Sequence, residues 1–543
     1  LNVHRSSNRH TRHHQAQAAA VRAVQAAAVA AVAADHQDLK PKSYIFYLNF
    51  MKIKYLLSVI AIVAITKDSF AQYSQDAIRF STFQTGSTSR IKAIGNAGTA
   101  IGGDLSSVSG NPAGLGFFTH SEVSITPEYD NSKISSSFFG QAGSANRNDV
   151  NMSNAAIVFY QQLSSGRRDK SKGWLSINYG AGYSRTNNFY ENVAYGGTNQ
   201  TSSISDYYTG IAKREVSQYG SVNPNGLDGW AYDHILIDNF GSASDPNSYS
   251  STVNVPVRQL AGITRTGGQS EFNLSFGANY SNKLYVGLGL AITDIRYNSH
   301  ARFTENGNAI ISNGGNPTDF SSTFAQDQST KGSGFNAKLG IIYKPVQAVR
   351  LGFVFTSPTF YNIDDSYTEG LATQYTGGSS YRNVSDPYQL SYNLRTPLKL
   401  AGGAAVFIGK YGFISGDVEY IDYTTTHLSS NDSYTADGDN SDIKSLYRST
   451  VNLHVGAEIN VNSLVYLRGG YSQQGNPMKD LGSDIKTVSG GIGVHFGAYF
   501  VDATYARVTG NQTIFPYDVG ATSPFADLKK TNNNAFLTLG YRF

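Results

Sequence analysis

The sequence predicts an all-β protein: a transmembrane antiparallel β-barrel of about fourteen strands with an N-terminal plug, or hatch. Three observations predict it. The chain ends on "NNNAFLTLGYRF", which sets Ala535, Leu537, Leu539, Tyr541 and Phe543 on one side of an extended strand. Phe536, Thr538, Gly540 and Arg542 fall on the other side, because successive strand residues face opposite ways. Runs with the same period-two alternation recur along the chain. Short and long connections between those runs alternate, as they do in barrels with short periplasmic turns and longer outer loops.

Composition agrees. The 543 residues are 15% charged and 12% aromatic, with 36 Tyr and 29 Phe. A mean hydropathy of −0.30 argues against a helical membrane protein but suits a barrel, in which every second strand residue is free to be polar. With 0 Cys there is no disulfide framework, thiol nucleophile or Cys-type zinc site. A net charge of +4 is too small for this length to argue for a nucleic-acid partner.

Residues 1–50 are rich in Ala, His, Gln and Arg and read as an extension upstream of the true start, excluded from fold reasoning. The stretch 51–71, "MKIKYLLSVIAIVAITKDSFA", has a basic beginning (Lys52, Lys54), an apolar run from Tyr55 to Ile65 and small residues at Ser69 and Ala71. That is a secretory signal, with cleavage expected between Ala71 and Gln72; the run is too short for a spanning helix. Residues 72–120 carry short helical patterns and many small residues, and are expected to form a plug on the periplasmic side. The run "GNAGTAIGGD" within them lacks the Lys-Ser/Thr ending of a phosphate loop.

The barrel is expected over 121–543. Its strands start near Ser121, Met152, Gly173, Glu271, Leu284, Gly334, Val346, Leu394, Tyr411, Val451, Leu464, Thr487, Tyr499 and Asn534. Connections after strands one, three, five, seven, nine and thirteen read as long, the longest from about 186 to 270. Those after strands four, six, eight, ten and twelve read as tight, with Asn, Gly, Pro and Ser at the reversals. If the apolar parity faces lipid, the other parity lines the lumen. It holds Asn178, Lys338, Arg350, Lys399, Asp417, Glu419, His454, Glu458, Arg468, His495 and Asp502. These residues fit either a polar network that grips a plug or a lining that guides a solute. Gly180 and Gly182 share the inner face of strand three, where glycine marks a close approach of the plug or a gap in the wall.

"DLSSVSGNPAGL", Asp104 to Leu115, lies just ahead of the first strand. With "LRTPLKLAGGAAVFIG" and "DVEYIDY" further on, it resembles the FadL/TodX family of outer-membrane transporters, whose hatch carries an Asn-Pro-Ala motif. The match falls on Asn111, Pro112 and Ala113. The resemblance implies a Gram-negative outer membrane and passive uptake of a hydrophobic small molecule, a fatty acid or an aromatic hydrocarbon. It also implies release past the hatch and through a gap in the third strand. Tyr207, Tyr208, Trp230, Tyr232, Phe240 and Tyr249, in the longest connection, would form a capture pocket or simply pack that connection together. Expected partners are this ligand, outer-membrane lipid and lipopolysaccharide, and the barrel-assembly machinery through Phe543; the chain is expected to act as a monomer. No cofactor, metal, nucleic acid or enzymatic activity is expected. "WAYDHILID" sets Asp233 beside His234, but neighbours on a strand point apart and no nucleophile elbow accompanies them. An adhesive or structural barrel and a general porin are the alternatives; neither needs a plug.

Overall fold

The computed structural model describes residues 71–543 except 83, 85, 164–171, 313–314 and 431–433. The upstream extension and most of the expected signal lie outside the described residues.

Among the described residues, 14 antiparallel strands close into a barrel. The first four are β1 (Glu122–Phe138), β2 (Gln141–Gln162), β3 (Trp174–Asn188, continued by Glu191–Asn199) and β4 (Val253–Tyr280). Next come β5 (Leu284–Ala309), β6 (Thr318–Val346), β7 (Val349–Thr356, continued by Phe360–Tyr375) and β8 (Tyr388–Arg395, continued by Lys399–Phe407). The last six are β9 (Gly412–Asp422 and His427–Ser429), β10 (Ser449–Asn460), β11 (Val465–Gln474), β12 (Ile485–Phe496), β13 (Tyr499–Ile514) and β14 (Ala526–Arg542). Closure sets Glu122 opposite Arg542 and Ile125 opposite Leu539.

The apolar parity faces outward. Phe272, Leu274 and Phe276 on β4 and Leu288, Leu290 and Ile292 on β5 are 44–66% exposed. The opposite parity is buried and polar: Asn178, Asn273, Ser275 and Lys338 are at most 5% exposed. Burying half of a large apolar side chain is worth about 1 kcal/mol. Leaving those six in water would therefore forgo about 6 kcal/mol, comparable with the whole net stability of a typical domain. The solvent that suits this face is hydrocarbon.

The strands run further than alternation shows. β2 starts at Gln141, not near Met152, and β4 at Val253, not near Glu271. The connection after β1, expected to be long, is the two-residue turn Phe139–Gly140, with φ of 47° and 76°; positive φ at both positions is the type I′ hairpin geometry. The longest connection shrinks from 186–270 to 200–252. The physical reason lies above the apolar band, where both strand faces are wet. The ladder persists there while the apolar signal vanishes.

Among the described residues, packing inside the barrel falls into three levels. Outermost, the 200–252 connection folds two helices, α3 (Ile204–Tyr219) and α4 (Leu227–Asp233), into the mouth over Phe303, Phe324 and Leu528. Below it, α1 (Ala71–Ser81) lies in the lumen among Tyr297, Tyr361 and Tyr392. The hatch proper, with α2 (Ser89–Ala93) and 3-10 turns at Leu105–Val108 and Pro112–Phe117, fills the end nearest Ser121. The 430–448 connection carries one more helix, α5 (Asp437–Leu446).

Candidate functional site: the plugged lumen

The hatch is shaped by its own caps. Asn111 Oδ1 accepts from the Ala113 amide at 3.1 Å, capping the turn that Pro112 opens. Its Nδ2 donates to the Thr99 carbonyl at 2.7 Å. One side chain thereby ties the Pro112 turn to a segment twelve residues earlier. Asp104 Oδ1 does similar work, accepting from the Ser106 amide at 2.9 Å and the Thr88 hydroxyl at 2.8 Å.

The wall beneath is glycine. Gly277, Gly287 and Gly340 are register neighbours across β4, β5 and β6. A Cβ on Gly277 would stand 2.6 Å from the Pro112 carbonyl oxygen, and one on Gly287 or Gly340 would run into Pro112 or Asn111. Gly352 lies beneath Thr99, the paired Gly456 and Gly470 beneath Ile94, and Gly491 beneath Ala93. The hatch backbone sits flush on this belt. Inward glycine in a strand was the available sequence signal; it was drawn at Gly180 and Gly182 and missed at the others.

Wall side chains then hold the hatch by its carbonyls. Asn178 donates to Leu115 O (2.6 Å), Ser275 to Val108 O (2.7 Å) and Lys338 to Ser109 O (2.7 Å). Ser415 donates to Ala97 O (2.8 Å), Ser489 to Ala93 O (3.0 Å) and Thr504 to Ser89 O (2.7 Å); Arg350 donates to Ile101 O. His454 Nδ1 lies 2.8 Å from Gly95 O. Ionic contacts reinforce them. Arg90 of α2 forks onto Glu458 at 2.8 and 3.0 Å, Arg468 meets the same carboxylate at 2.7 Å, and Arg468 continues to Asp502 at 2.5 Å. Lys338 pairs with Glu271 at 2.8 Å. At about 1 kcal/mol per net hydrogen bond, the hatch does not leave as a unit; any opening is a local rearrangement.

Between the hatch and the β6–β12 wall lies a cavity of about 130 Å³, bordered by Asp104, Asn111, Lys338, Lys399, Asp417, Glu419 and His454. A benzene-sized guest needs a dry cavity of about 150 Å³. This one is smaller, and its lining mixes charged and apolar groups.

Of the two readings of the strand-three glycines, the close approach of the plug is the one seen: Gly180 pairs with Val158 and Ser275, and Gly182 with Ala156 and Asn273, in ladders that continue past both. A Cβ at Gly180 would stand 2.8 Å from Val108 Cγ2, so this glycine seats the hatch. One wall irregularity lies at Pro127, where β1 bulges against β2 and its pairing with β14 skips from Ile125–Leu539 to Glu128–Phe536; proline has no N–H to give a ladder. On β3 itself the register against β4 shifts at Trp174–Ser176 and Arg185–Asn187, on either side of the two glycines. The segment ahead of the hatch proper runs up the lumen. In α1, Ile78 and Phe80 pack on the lumen aromatics, and the Ser74 amide donates to Asp439 of α5 at 3.0 Å.

The six aromatics of the long connection do not surround one open pocket. Tyr208, Trp230 and Tyr249 are at most 4% exposed and form the core of the mouth cluster, with Tyr207 half-buried against it. Tyr232 and Phe240 are exposed. Asp233 and His234 diverge: Asp233 is exposed, while His234 is buried with its ring nitrogens 3.0 Å from Thr373 Oγ1 and 2.8 Å from Asn383 Oδ1.

No family model matches the sequence, and no curated protein matches it. Among solved structures the chain is similar to a Pseudomonas aeruginosa FadL homologue: 13% identity, 85% of this chain, 99% of that one and a TM-score of 0.50. The Pseudomonas putida toluene transporter TodX matches at 12% identity over 84% of this chain and 99% of its own, with a TM-score of 0.47. The Ralstonia pickettii toluene transporter TbuX matches at 14% over 84% and 99%, with a TM-score of 0.43. At such identities the likeness is one of fold, carried by the first of these structures. At that level the resemblance read from "DLSSVSGNPAGL" holds, and the chain has the plugged fourteen-strand β-barrel fold of that FadL homologue.

Proposed function

We propose that this protein is an outer-membrane channel for passive uptake of hydrophobic small molecules, fatty acids or aromatic hydrocarbons, taken up at the outer connections and released past the hatch. The observation that carries the reading is the hatch itself, seated on glycine and held by its backbone, in a barrel whose upper lumen is aromatic. A general porin needs an open lumen, and an adhesive barrel needs no fitted plug. TodX and TbuX, named above, are toluene transporters by name, and this reading places the chain's ligand in the same chemical class.

The chemistry is partition. A polar glycolipid layer excludes such solutes, whereas a cluster such as Tyr297, Tyr361 and Tyr392 accepts them. A ligand arriving there competes with Ile78 and Phe80 of α1 for the same surface. Asn111, Pro112 and Ala113 form the part of the hatch that must yield afterwards. Phe543, exposed and stacked 6.0 Å from Tyr541, is the residue a barrel-assembly machinery would read.

Liposomes carrying the purified protein should take up labelled oleate or an alkylbenzene faster than empty liposomes. Equal rates across a broad ligand panel would end the proposal. Replacing Asn111 and Pro112 together by Ala should impair uptake while the barrel stays heat-modifiable on gels; undiminished uptake would remove the hatch from the pathway.

A further inference from the structure

We propose that the outward face of β1, β12, β13 and β14 binds a phosphorylated, acylated glycolipid of the outer leaflet. Its phosphates would sit on Lys133, Lys486, Arg507 and Lys529, and an acyl chain in the recess directly below them.

The cations come first. Lys133 lies in one register row with Thr531, Thr509 and Lys486, across four adjacent strands. Strands stand about 4.8 Å apart, so the row spans about 14 Å. Arg507 is one outward position below that row and Lys529 one above. All four side chains are exposed. The outward positions between them are Asn131, Asn533, Thr531, Thr509 and Asn511, and the outward carboxylates stand only at the rim. Asp484, one outward position beyond Lys486, accepts from Gln473 Nε2 at 2.6 Å and the Asn476 amide at 2.9 Å, and Asp527, beyond Lys529, accepts from the Thr513 hydroxyl at 2.8 Å. Elsewhere on the outer wall the same chain neutralises its cations: Arg302 meets Asp327 at 2.9 Å and Arg296 meets Asp294 at 3.3 Å. Like charges crowded without a counter-charge repel, and an anionic headgroup removes that repulsion.

The recess is the second, independent observation. Directly toward the membrane from Arg507 the wall is hollowed by about 630 Å³. The hollow has a floor of Gly490, Ala503 and Ala535 and walls that include Tyr129, Tyr505 and Pro127. Small outward residues between two tyrosines, at the place where Pro127 interrupts the ladder, create it. Its lining is apolar and faces hydrocarbon, so it suits an acyl chain. The cations lie at the end of the apolar band away from Arg542 and Ser121, on the side of the long connections, which is the outer leaflet.

The test is lipid retention by native mass spectrometry, with protein purified from nanodiscs containing bisphosphorylated lipid A, phosphatidylglycerol and phosphatidylcholine. Wild type should retain lipid A. The quadruple variant K133Q/K486Q/R507Q/K529Q should lose it by at least about tenfold. G490L, which fills the recess and keeps every charge, should lose it as well. R296Q/K331Q, on β5 and β6, should retain it. Heat-modifiability on gels reports that each barrel is folded. Undiminished retention by the quadruple variant or by G490L would overturn the site, as would equal loss in R296Q/K331Q. Equal retention of phosphatidylglycerol by wild type would overturn the assignment to a glycolipid.

Discussion

Replacing Asn111 by Ala tests how the hatch is held. The side chain is 6% exposed and makes two bonds inside the hatch. Losing the cap on Ala113 costs about 1 kcal/mol. Losing the donor to Thr99 leaves a buried carbonyl unpaired, about 1–3 kcal/mol more. The sum is about 2–4 kcal/mol, or roughly a 30- to 800-fold rise in the locally open population, since 1.4 kcal/mol is tenfold. None of it falls on the barrel, whose strands keep their ladders. Hydrogen exchange by mass spectrometry on the detergent-solubilised protein reads both regions at once. Amides of residues 97–117 should exchange at least about tenfold faster, while β5 and β6 stay unchanged. Unchanged hatch exchange, or acceleration of hatch and barrel together, would refute the assignment of Asn111 as an internal tie.

Further outcomes follow from other contacts. Glu458→Gln takes its forked partner from Arg90, leaving Asp104 at 3.8 Å, and leaves Arg468 with Asp502 alone; it should destabilise the protein by about 3 kcal/mol, seen as a lower temperature for the gel shift, and Glu458→Asp should recover part of it. Gly287→Leu drives a side chain into Pro112 and should loosen the hatch by about 1–3 kcal/mol, raising protease cleavage between 97 and 117. Asp439, in α5 outside the membrane, has its carboxyl pushed up to about 6, chiefly by burial. A carboxyl that binds its proton more tightly when folded costs stability as pH rises from about 4 through 6. The contact between α1 and α5 should therefore be tighter at pH 5 than at pH 8 by exchange of the Ser74 amide, after correction for intrinsic rates. Asp439→Asn should flatten that difference, and a persisting one would assign it elsewhere.

Much of this was readable from residue order. The outward rows on β4 to β6 and β10 to β14 declare themselves because water is absent on one side and an alternating signal survives. The upper parts of β2, β3 and β4 do not: Thr264, Thr266 and Gln269 sit in a ladder that nothing apolar marks. The inward charges were named, but their partners were not, because Glu458 and Arg90 lie 368 positions apart. The glycine belt was half legible, since an inward glycine signals close approach without naming what approaches. Trp230 and Tyr208 were singled out by being aromatic in a long connection. Only the packing of α3 and α4 shows that they are the inside of a lid.

The seam between β1 and β14 carries a consequence for biogenesis. Glu122 bonds Arg542, and the Ser89 amide bonds the Thr538 hydroxyl, across 420 and 449 positions of chain. The segment synthesised early finds its last partners only when the final strand has been made. A cylinder that shut first would leave no route by which so well-fitted a stopper could enter sideways. The wall must therefore be wound around its stopper, as a bottle is blown around the ship it will hold, and a variant that slows the stopper's folding should delay the closing of the bottle as well.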